Sequence, residues 1–250
     1  MNLAICTVAA APVRKEPSHR TEMVNQLLFG EQMEILEEKE EWFRIRSLYD
    51  NYEGWLTHHL VEPVQDLPEP RFYASSLTNP VTTPNSLINA PMGSSLSGFN
   101  EETRLLWKPE YKYHGTYRDV THPVDYDLLL KTSHAWINAP YLWGGKTFMG
   151  VDCSGFVQTV FKILGVRLKR DAWQQCEQGK ELEAQNVKEG DLAFFQNEQG
   201  RVTHVGIILE GNRIIHAAGK VRIDRLDAEG IMNVETGKRT HRLHSMKRYF

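Results

Sequence analysis

Behind Cys153 the apolar positions Phe156, Val157, Val160, Phe161 and Leu164 fall three and four residues apart and end at Gly165. That pattern predicts a helix with one buried face, capped by Asp152 or Cys153. Earlier in the chain the signal is different. Runs rich in β-branched and aromatic residues (Leu3 to Val8, Met23 to Leu28, Met33 to Leu36, Trp42 to Ser47 and Gly54 to Leu56) are separated by turn residues. They predict a small all-β barrel over residues 1–64. Pro63 to Pro70, with Pro68 between them, reads as a linker. Residues 70–120 hold short apolar pieces among Ser, Thr, Asn, Pro and Gly, with Gly93-Ser94-Ser95-Leu96 as a turn into a strand. A second, degenerate barrel is expected there, with Tyr111, Tyr113 and Tyr117 as an aromatic cluster that packs it on its neighbours.

From residue 124 to residue 250 the character changes. Leu128, Leu129, Ala135 and Trp136 lie at helical spacing in a run from Val124 to Ala139, which Pro140 ends. A glycine-rich loop, Trp143-Gly144-Gly145-Lys146, precedes the cysteine helix. Strand patterns follow at Gly190 to Phe195, His204 to Leu209, Arg213 to Ala217 and, last, Val221 to Leu226. Helices first and antiparallel strands afterwards make this region α+β, with the cysteine helix packed on the sheet.

Register decides whether the two histidines of that sheet cooperate. Across the three-residue loop Glu210-Gly211-Asn212, Leu209 faces Arg213 and Gly206 faces His216. His204 and His216 then share a face as diagonal neighbours, roughly 7–8 Å apart by Cα. A slip of one residue would put them on opposite faces. Gly206 leaves room beside them.

Composition narrows the function classes. Of the 250 residues 41% are hydrophobic and 24% charged, as in ordinary globular proteins, and the net charge of −3 offers no overall footprint for nucleic acid. The basic stretch from Lys238 to Arg248 is read as a solvated last strand and its flank. Cys6, Cys153 and Cys176 are too few and too irregularly spaced for a disulfide framework or a zinc finger. No run has the length of a membrane span. The N-terminal run Met1 to Cys6 lacks a basic n-region, so no signal peptide is read. The expected location is cytoplasmic, or exported if a leader has been trimmed.

Most free cysteines are buried and structural. Cys153 is singled out because a thiol in the first turn of a helix meets unpaired N–H groups and the positive end of the dipole, which can lower its pKa from about 8.5 to roughly 3.5–7.5. With His204 as a base and His216 as the polar group that holds it, the three residues have the general form of an activated nucleophile site. The competing reading is a zinc site of Cys153, His204 and His216, for which no fourth ligand stands out.

Six motifs in order carry a resemblance: Pro140-Tyr141-x-Trp143-Gly144-Gly145, Asp152-Cys153-Ser154-Gly155-Phe156, Arg170-Asp171-Ala172-x-Gln174-Gln175, Gly190-Asp191-Leu192-x-Phe194-Phe195, His204-Val205-Gly206-Ile207 and Ile215-His216-Ala217. Together they resemble the NlpC-type bacterial cell-wall cysteine peptidases, which have a papain-like fold. Glu22 to Gln26, Phe29-Gly30-Glu31, Trp42 to Ile45 and Tyr52 to Leu56 resemble a bacterial SH3-like domain. The combination is similar to the γ-D-glutamyl-L-diamino acid endopeptidases of murein peptide recycling.

The resemblance implies Cys153 as nucleophile, His204 as base and His216 as the group that orients it. It further implies substrate contacts from Asp152 and Ser154, a cleft wall at Trp143, and a cleft end closed by Glu22 and Tyr52. Ala172 stands where some relatives have serine. The implied substrate is a murein stem peptide with a free N-terminal L-alanine, cut between D-glutamate and meso-diaminopimelate or lysine. No cofactor, nucleic-acid or membrane partner is implied, and the oligomeric state is left open. The alternatives are a wall-remodelling hydrolase on intact peptidoglycan, an acyltransferase on the same scaffold, and a wall-binding module without activity. Intact Cys153, His204 and His216 argue against the last.

Overall fold

The structure, a computed structural model, describes residues 2–65 and 68–250, so Met1 and, within the expected linker, Asp66 and Leu67 lie outside the described residues. The chain divides into two compact units, Met1–Pro123 with Trp143–Phe148 and Val124–Leu142 with Met149–Phe250.

The N-terminal unit begins with β1 (Leu3–Cys6), β2 (Ala10–Arg14), β3 (Met23–Leu28), β4 (Gln32–Lys39), β5 (Trp42–Ser47), β6 (Glu53–Thr57) and β7 (Val61–Val64), an antiparallel sheet in the order β3-β2-β6-β5-β4-β1-β7. Alternation places Ala4, Cys6, Ala11, Val13, Leu27, Met33, Ile45 and Leu56 in one core. Two expectations change here. The run Leu3 to Val8 stops at Cys6, and a separate strand forms over Ala10–Arg14. Pro63 and Val64, expected in the linker, belong to β7, with Pro63 opposite Ala4. β7 is an edge strand, where the missing N–H of proline leaves no ladder bond unmade.

The rest of this unit has β8 (Phe72–Ala74), β9 (Thr78–Thr82), β10 (Leu87–Pro91), β11 (Lys112–Tyr113) and β12 (Tyr117–Asp119), in two small sheets ordered β10-β9-β11 and β12-β8. Their core includes Phe29, from the turn after β3, beside Phe72, Val81, Leu96 and Tyr113. Gly93 to Leu96 does turn, but Ser95 makes only an isolated bridge to Tyr73 instead of a strand. The reason is that its N–H goes to the Phe29 carbonyl at 3.0 Å. The tyrosines pack within this core: Tyr113 and Tyr117 meet the Phe99 ring edge to face, and Tyr111 meets Trp107. The Trp143–Phe148 segment carries β13 (Lys146–Thr147). Lys146 donates its N–H to Gln26 at 2.7 Å and its buried ammonium to Glu31 at 3.3 Å.

The C-terminal unit opens with α1 (Tyr126–His134), started by the Asp125 carboxylate on the Asp127 N–H. The helix is shorter than Val124 to Ala139: Ala135 and Trp136 follow it in a turn, and Trp136 is buried against Phe156. After β14 (Gly150–Val151) comes α2 (Cys153–Ile163), capped by Asp152, whose Oδ1 accepts the Gly155 N–H at 2.7 Å. It ends as the sequence pattern predicts. Gly165 takes φ +81°, its N–H bonds the Lys162 carbonyl, and the Val166 N–H bonds that of Phe161, which is a Schellman motif. All eleven α2 residues are buried, where one buried face was expected. β17 and β18 cover one side, and α1, Trp136, Tyr249 and Phe250 supply the rest. α3 (Ala172–Glu177) starts with a capping box between Asp171 and Gln174.

The sheet consists of β15 (Lys180–Glu181), β16 (Leu192–Gln196), β17 (Val202–Leu209), β18 (Arg213–Ala218), β19 (Lys220–Asp227), β20 (Gly230–Met232) and β21 (Arg239–Arg248). Strands β16 to β20 pair in succession, and β21 pairs with both β16 and β20, so six strands close into a ring. The segment Lys238 to Arg248, expected as a solvated last strand, is therefore the closing strand, and closure removes the unpaired edges an open sheet would present.

The seam between β20 and β21 depends on Gly230. It has φ +138°, and a Cβ there would lie 1.9 Å from the His241 carbonyl oxygen. Gly230→Ala should lose about 2–4 kcal/mol in urea unfolding, from backbone strain and steric overlap together. Gly237→Ala, with φ +65° and nothing within 4 Å of the added Cβ, should lose about 1 kcal/mol. Equal midpoints for the two variants would show that ring closure does not need the glycine.

Candidate active site

Cys153 is the first residue of α2, and both of its neighbours are tied to one side chain. Arg170 forks onto Asp152, Nη2 to Oδ2 at 2.6 Å and Nη1 to Oδ1 at 3.0 Å, and its Nη1 also donates to Ser154 Oγ at 2.9 Å. Arg170, Asp152 and Ser154 are all buried. Such a bidentate, charge-assisted grip fixes geometry as well as adding energy. It clamps the backbone on either side of the thiol. The Cys153 Sγ faces β17, 4.0 Å from the Thr203 carbonyl and hydrogen-bonded by the Val205 N–H, so it meets the residues on both sides of His204.

The observed hairpin has the predicted register, Leu209 opposite Arg213 and Gly206 opposite His216. His204 Nε2 lies 2.8 Å from His216 Nδ1, and His216 Nε2 lies 3.0 Å from Asp224 Oδ2. All three side chains are buried. Burial by itself would raise the Asp224 carboxyl, but hydrogen bonds from His216, the Val234 N–H and Arg222 outweigh it and hold its pKa at about 2. A carboxylate only accepts, so His216 Nε2 carries a proton. With its proton at Nε2, His216 accepts at Nδ1, His204 donates from Nε2, and the His204 Nδ1 lone pair is left bare. One buried carboxylate thus sets the tautomer of both rings.

The titration of the pair differs from the expected thiolate. Burial pushes the Cys153 thiol up to about 12 and the Asp152 charge adds to this, while the Val205 N–H, Arg170 and the Ser154 N–H oppose it without prevailing. Burial, then His241 and His216, push His204 well below its ordinary value. The resting pair is a neutral thiol and a neutral imidazole. The helix dipole contributes only about 0.3–1 kcal/mol, whereas drying a fully buried ionisable group can outweigh that several-fold.

Of the remaining sequence-predicted residues, Glu22 and Trp143 meet within the N-terminal unit, the indole Nε1 donating to Glu22 Oε1 at 2.7 Å with Trp143 59% exposed. Tyr52 is half-buried in that unit and its N–H is held by Asp50 Oδ1 at 3.0 Å. Ala172 is buried at the start of α3. Cys6 and Cys176 are free and buried like Cys153.

Three residues were not assigned from sequence. Asp224 had a signal: with β18 and β19 joined at Gly219, His216 faces Arg222 and Ile214 faces Asp224, so Asp224 is diagonal to His216 on the same face. Arg170 stood in a recognised motif without a role. His241 stacks on His204 at 4.1 Å between ring centroids and had no local signal, because it arrives from the closing strand.

His204, His216 and His241 offer ring nitrogens within 4.8 Å of one another, a set that does not include Cys153. The 2.8 Å contact between His204 and His216 is a shared hydrogen bond. Two imidazoles on one tetrahedral ion, at metal–nitrogen distances of 2.0–2.1 Å, would hold their nitrogens about 3.3 Å apart. The arrangement fits a proton line better than a metal centre.

A cysteine at the start of a buried helix, set against a sheet strand that carries its histidine, defines a papain-like cysteine peptidase. A family model described as NlpC/P60 family matches residues 138–240, and one described as bacterial dipeptidyl-peptidase Sh3 domain matches residues 13–59. The gamma-D-glutamyl-L-lysine dipeptidyl-peptidase of Bacillus subtilis (strain 168) is 26% identical over 220 residues, 77% of this chain and 71% of that protein. The murein DD-endopeptidase MepS/murein LD-carboxypeptidase of Escherichia coli (strain K12) is 36% identical over 105 residues, 41% of this chain and 55% of that protein. A crystal structure of an NlpC/P60 family protein from Bacillus cereus ATCC 10987 has the same fold, with a TM-score of 0.80, 20% identity and 99% of each chain covered. The chain is a cysteine peptidase with an NlpC/P60 domain and a bacterial dipeptidyl-peptidase SH3 domain.

The buried histidines make stability depend on pH. Burial, and then His216, lower His241 from 6.5 to about 4, with Asp224 opposing. A histidine depressed in the folded state binds its proton first in the unfolded chain, so stability is complete above about pH 6.5 and falls with pH down to the folded value. Urea unfolding should show a loss of about 2 kcal/mol from His241 between pH 7 and pH 5, since each tenfold difference in proton affinity is worth about 1.4 kcal/mol. His241→Leu should reduce that slope. An unchanged slope would place the linkage in other groups.

Proposed function

We propose that this enzyme hydrolyses peptidoglycan stem peptides at the bond between the γ-carboxyl of D-glutamate and the amine of an L-diamino acid, on substrates with a free N-terminal L-alanine. The observation that carries the reading is the proton line ending in a bare His204 Nδ1 on the strand that flanks the Cys153 thiol. The name of the Bacillus subtilis relative and the dipeptidyl-peptidase SH3 match support the substrate, since release of a dipeptide requires a chain end two residues before the bond.

In this mechanism His204 Nδ1 takes the thiol proton as Cys153 Sγ attacks the γ-carbonyl carbon, and His216 and Asp224 balance the charge that develops on His204. The proton then passes to the departing amine, leaving a thioester. Water, deprotonated by His204, releases the acid and restores the thiol. Asp152 and Ser154 position substrate beside the nucleophile, and the resemblance to the family is what supports Trp143 as a cleft wall and Glu22 and Tyr52 as the groups that receive the N-terminal ammonium.

Cys153→Ala should abolish turnover and keep the fold, whereas Cys6→Ala and Cys176→Ala keep turnover. His204→Ala should be nearly inactive. His216→Gln, which retains an acceptor, should lose less than His216→Ala. Mass analysis of the products from L-Ala-γ-D-Glu-diamino acid peptides reads all of these, and turnover by Cys153→Ala would remove the assigned nucleophile.

Acetylating the substrate amine should lower kcat/KM by about 10- to 100-fold, the equivalent of roughly 1.5–3 kcal/mol for a lost charge-assisted hydrogen bond. Glu22→Gln and Tyr52→Phe should raise KM for the free-amine peptide. Cleavage of intact cross-linked wall at rates close to those on free-amine peptides would instead identify a wall-remodelling hydrolase.

A further inference from the structure

A pocket of about 730 Å³ opens between α3, the start of β17 and β21. It adjoins the nucleophile through Thr203, which lines the pocket and whose carbonyl is 4.0 Å from Cys153 Sγ. Trp173 and Glu177 reach it from one face of α3, being four residues apart. Arg201 reaches it from the lead into β17, and Lys247 from β21. Lys247 is engaged by Glu181 at 3.3 Å. The Arg201 guanidinium and the Glu177 carboxylate have no ion-pair or hydrogen-bond partner among the described residues. Trp173 is 50% exposed although it is one of the largest side chains in the unit. An uncommitted cation, an uncommitted anion and an open indole share one cavity beside the reacting sulfur.

We propose that this pocket receives the far end of the diamino acid side chain, as a zwitterion, and that the enzyme therefore prefers meso-diaminopimelate to lysine. The inference rests on the proposed function and deepens it. Both side chains place an ammonium group four carbon–carbon bonds from the carbon that bears the leaving amine, and Glu177 pairs with it. Diaminopimelate alone adds a carboxylate on the same terminal carbon, which Arg201 grips as a fork. Trp173 covers the methylenes and faces the ammonium. A lysine side chain in the same position leaves the guanidinium covered and unpaired, so the pocket discriminates by penalty as well as by attraction.

The test compares kcat/KM of the full-length enzyme on L-Ala-γ-D-Glu-meso-diaminopimelate and L-Ala-γ-D-Glu-L-Lys. Each is also made with the D-glutamate α-carboxylate amidated, because that carboxylate is the other anionic group near the scissile bond. The wild type should prefer diaminopimelate by about tenfold or more, as a charge-assisted hydrogen bond allows. Arg201→Gln should cut that ratio by about tenfold, and Glu177→Gln should weaken both peptides, with thermal unfolding checked for each variant. Equal wild-type rates on the two diamino acids, or an unchanged ratio in Arg201→Gln, would overturn the pocket assignment and leave the proposed function standing. An Arg201→Gln loss that disappears on the amidated peptides would also overturn it, by assigning Arg201 to D-glutamate. Cleavage of neither peptide by the wild type would overturn the proposed function and this inference with it.

Discussion

A carboxylate that can only accept hydrogen bonds sets the direction of the hydrogen bonds along the histidine line. Asp224 is buried and held ionised by His216, Arg222 and the Val234 N–H. From it the donors run outward through His216 to His204, and the line ends on the strand that flanks the thiol. Within a buried line of this kind each link matters, since an unpaired polar group in the same place would cost about 1–3 kcal/mol. The antiparallel register of β17, β18 and β19 supplies the links from Asp224 to His204 Nε2 and leaves His204 Nδ1 open at the end, because each member is a diagonal neighbour on one face.

Cys153, the proposed nucleophile, is held by a different device. Arg170 grips Asp152 and Ser154 together, so the turn that presents Cys153 is fixed by one fork and not by packing alone. Burial has an opposing effect on reactivity. It positions the sulfur but keeps the thiol protonated, at about 12, and keeps His204 neutral. In the proposed mechanism proton transfer therefore belongs to the attack itself, with His216 and Asp224 balancing the imidazolium as it forms.

The strand ring links these two devices to the rest of the unit. β21 closes the sheet between β16 and β20, and in doing so brings His241 onto the face of His204. The stacked ring helps to keep His204 neutral, an effect first of burial and then of neighbouring imidazoles. The same strand supplies Lys247 to the pocket that Thr203 joins to Cys153, so one closing segment shapes both His204 and the surroundings of the thiol.

Local physics alone determined much of this protein. The spacing of Phe156, Val157, Val160, Phe161 and Leu164, the cap at Asp152 and the stop at Gly165 require only neighbouring residues, and so does the turn at Glu210-Gly211-Asn212 that puts His204 and His216 on one face. Asp224 was within reach of the same reasoning through the tight turn at Gly219. Tertiary structure decided what depends on distant partners and on water. The Arg170 fork joins residues 16 and 18 positions apart, and His241 reaches His204 only through ring closure. The full burial of α2, and with it the upward shift of the Cys153 thiol, needed both the sheet and the chain end packed on the helix. Periodicity records which side chains leave water. It does not record how completely a site is dried, and desolvation is the largest cause of the titration of both Cys153 and His204.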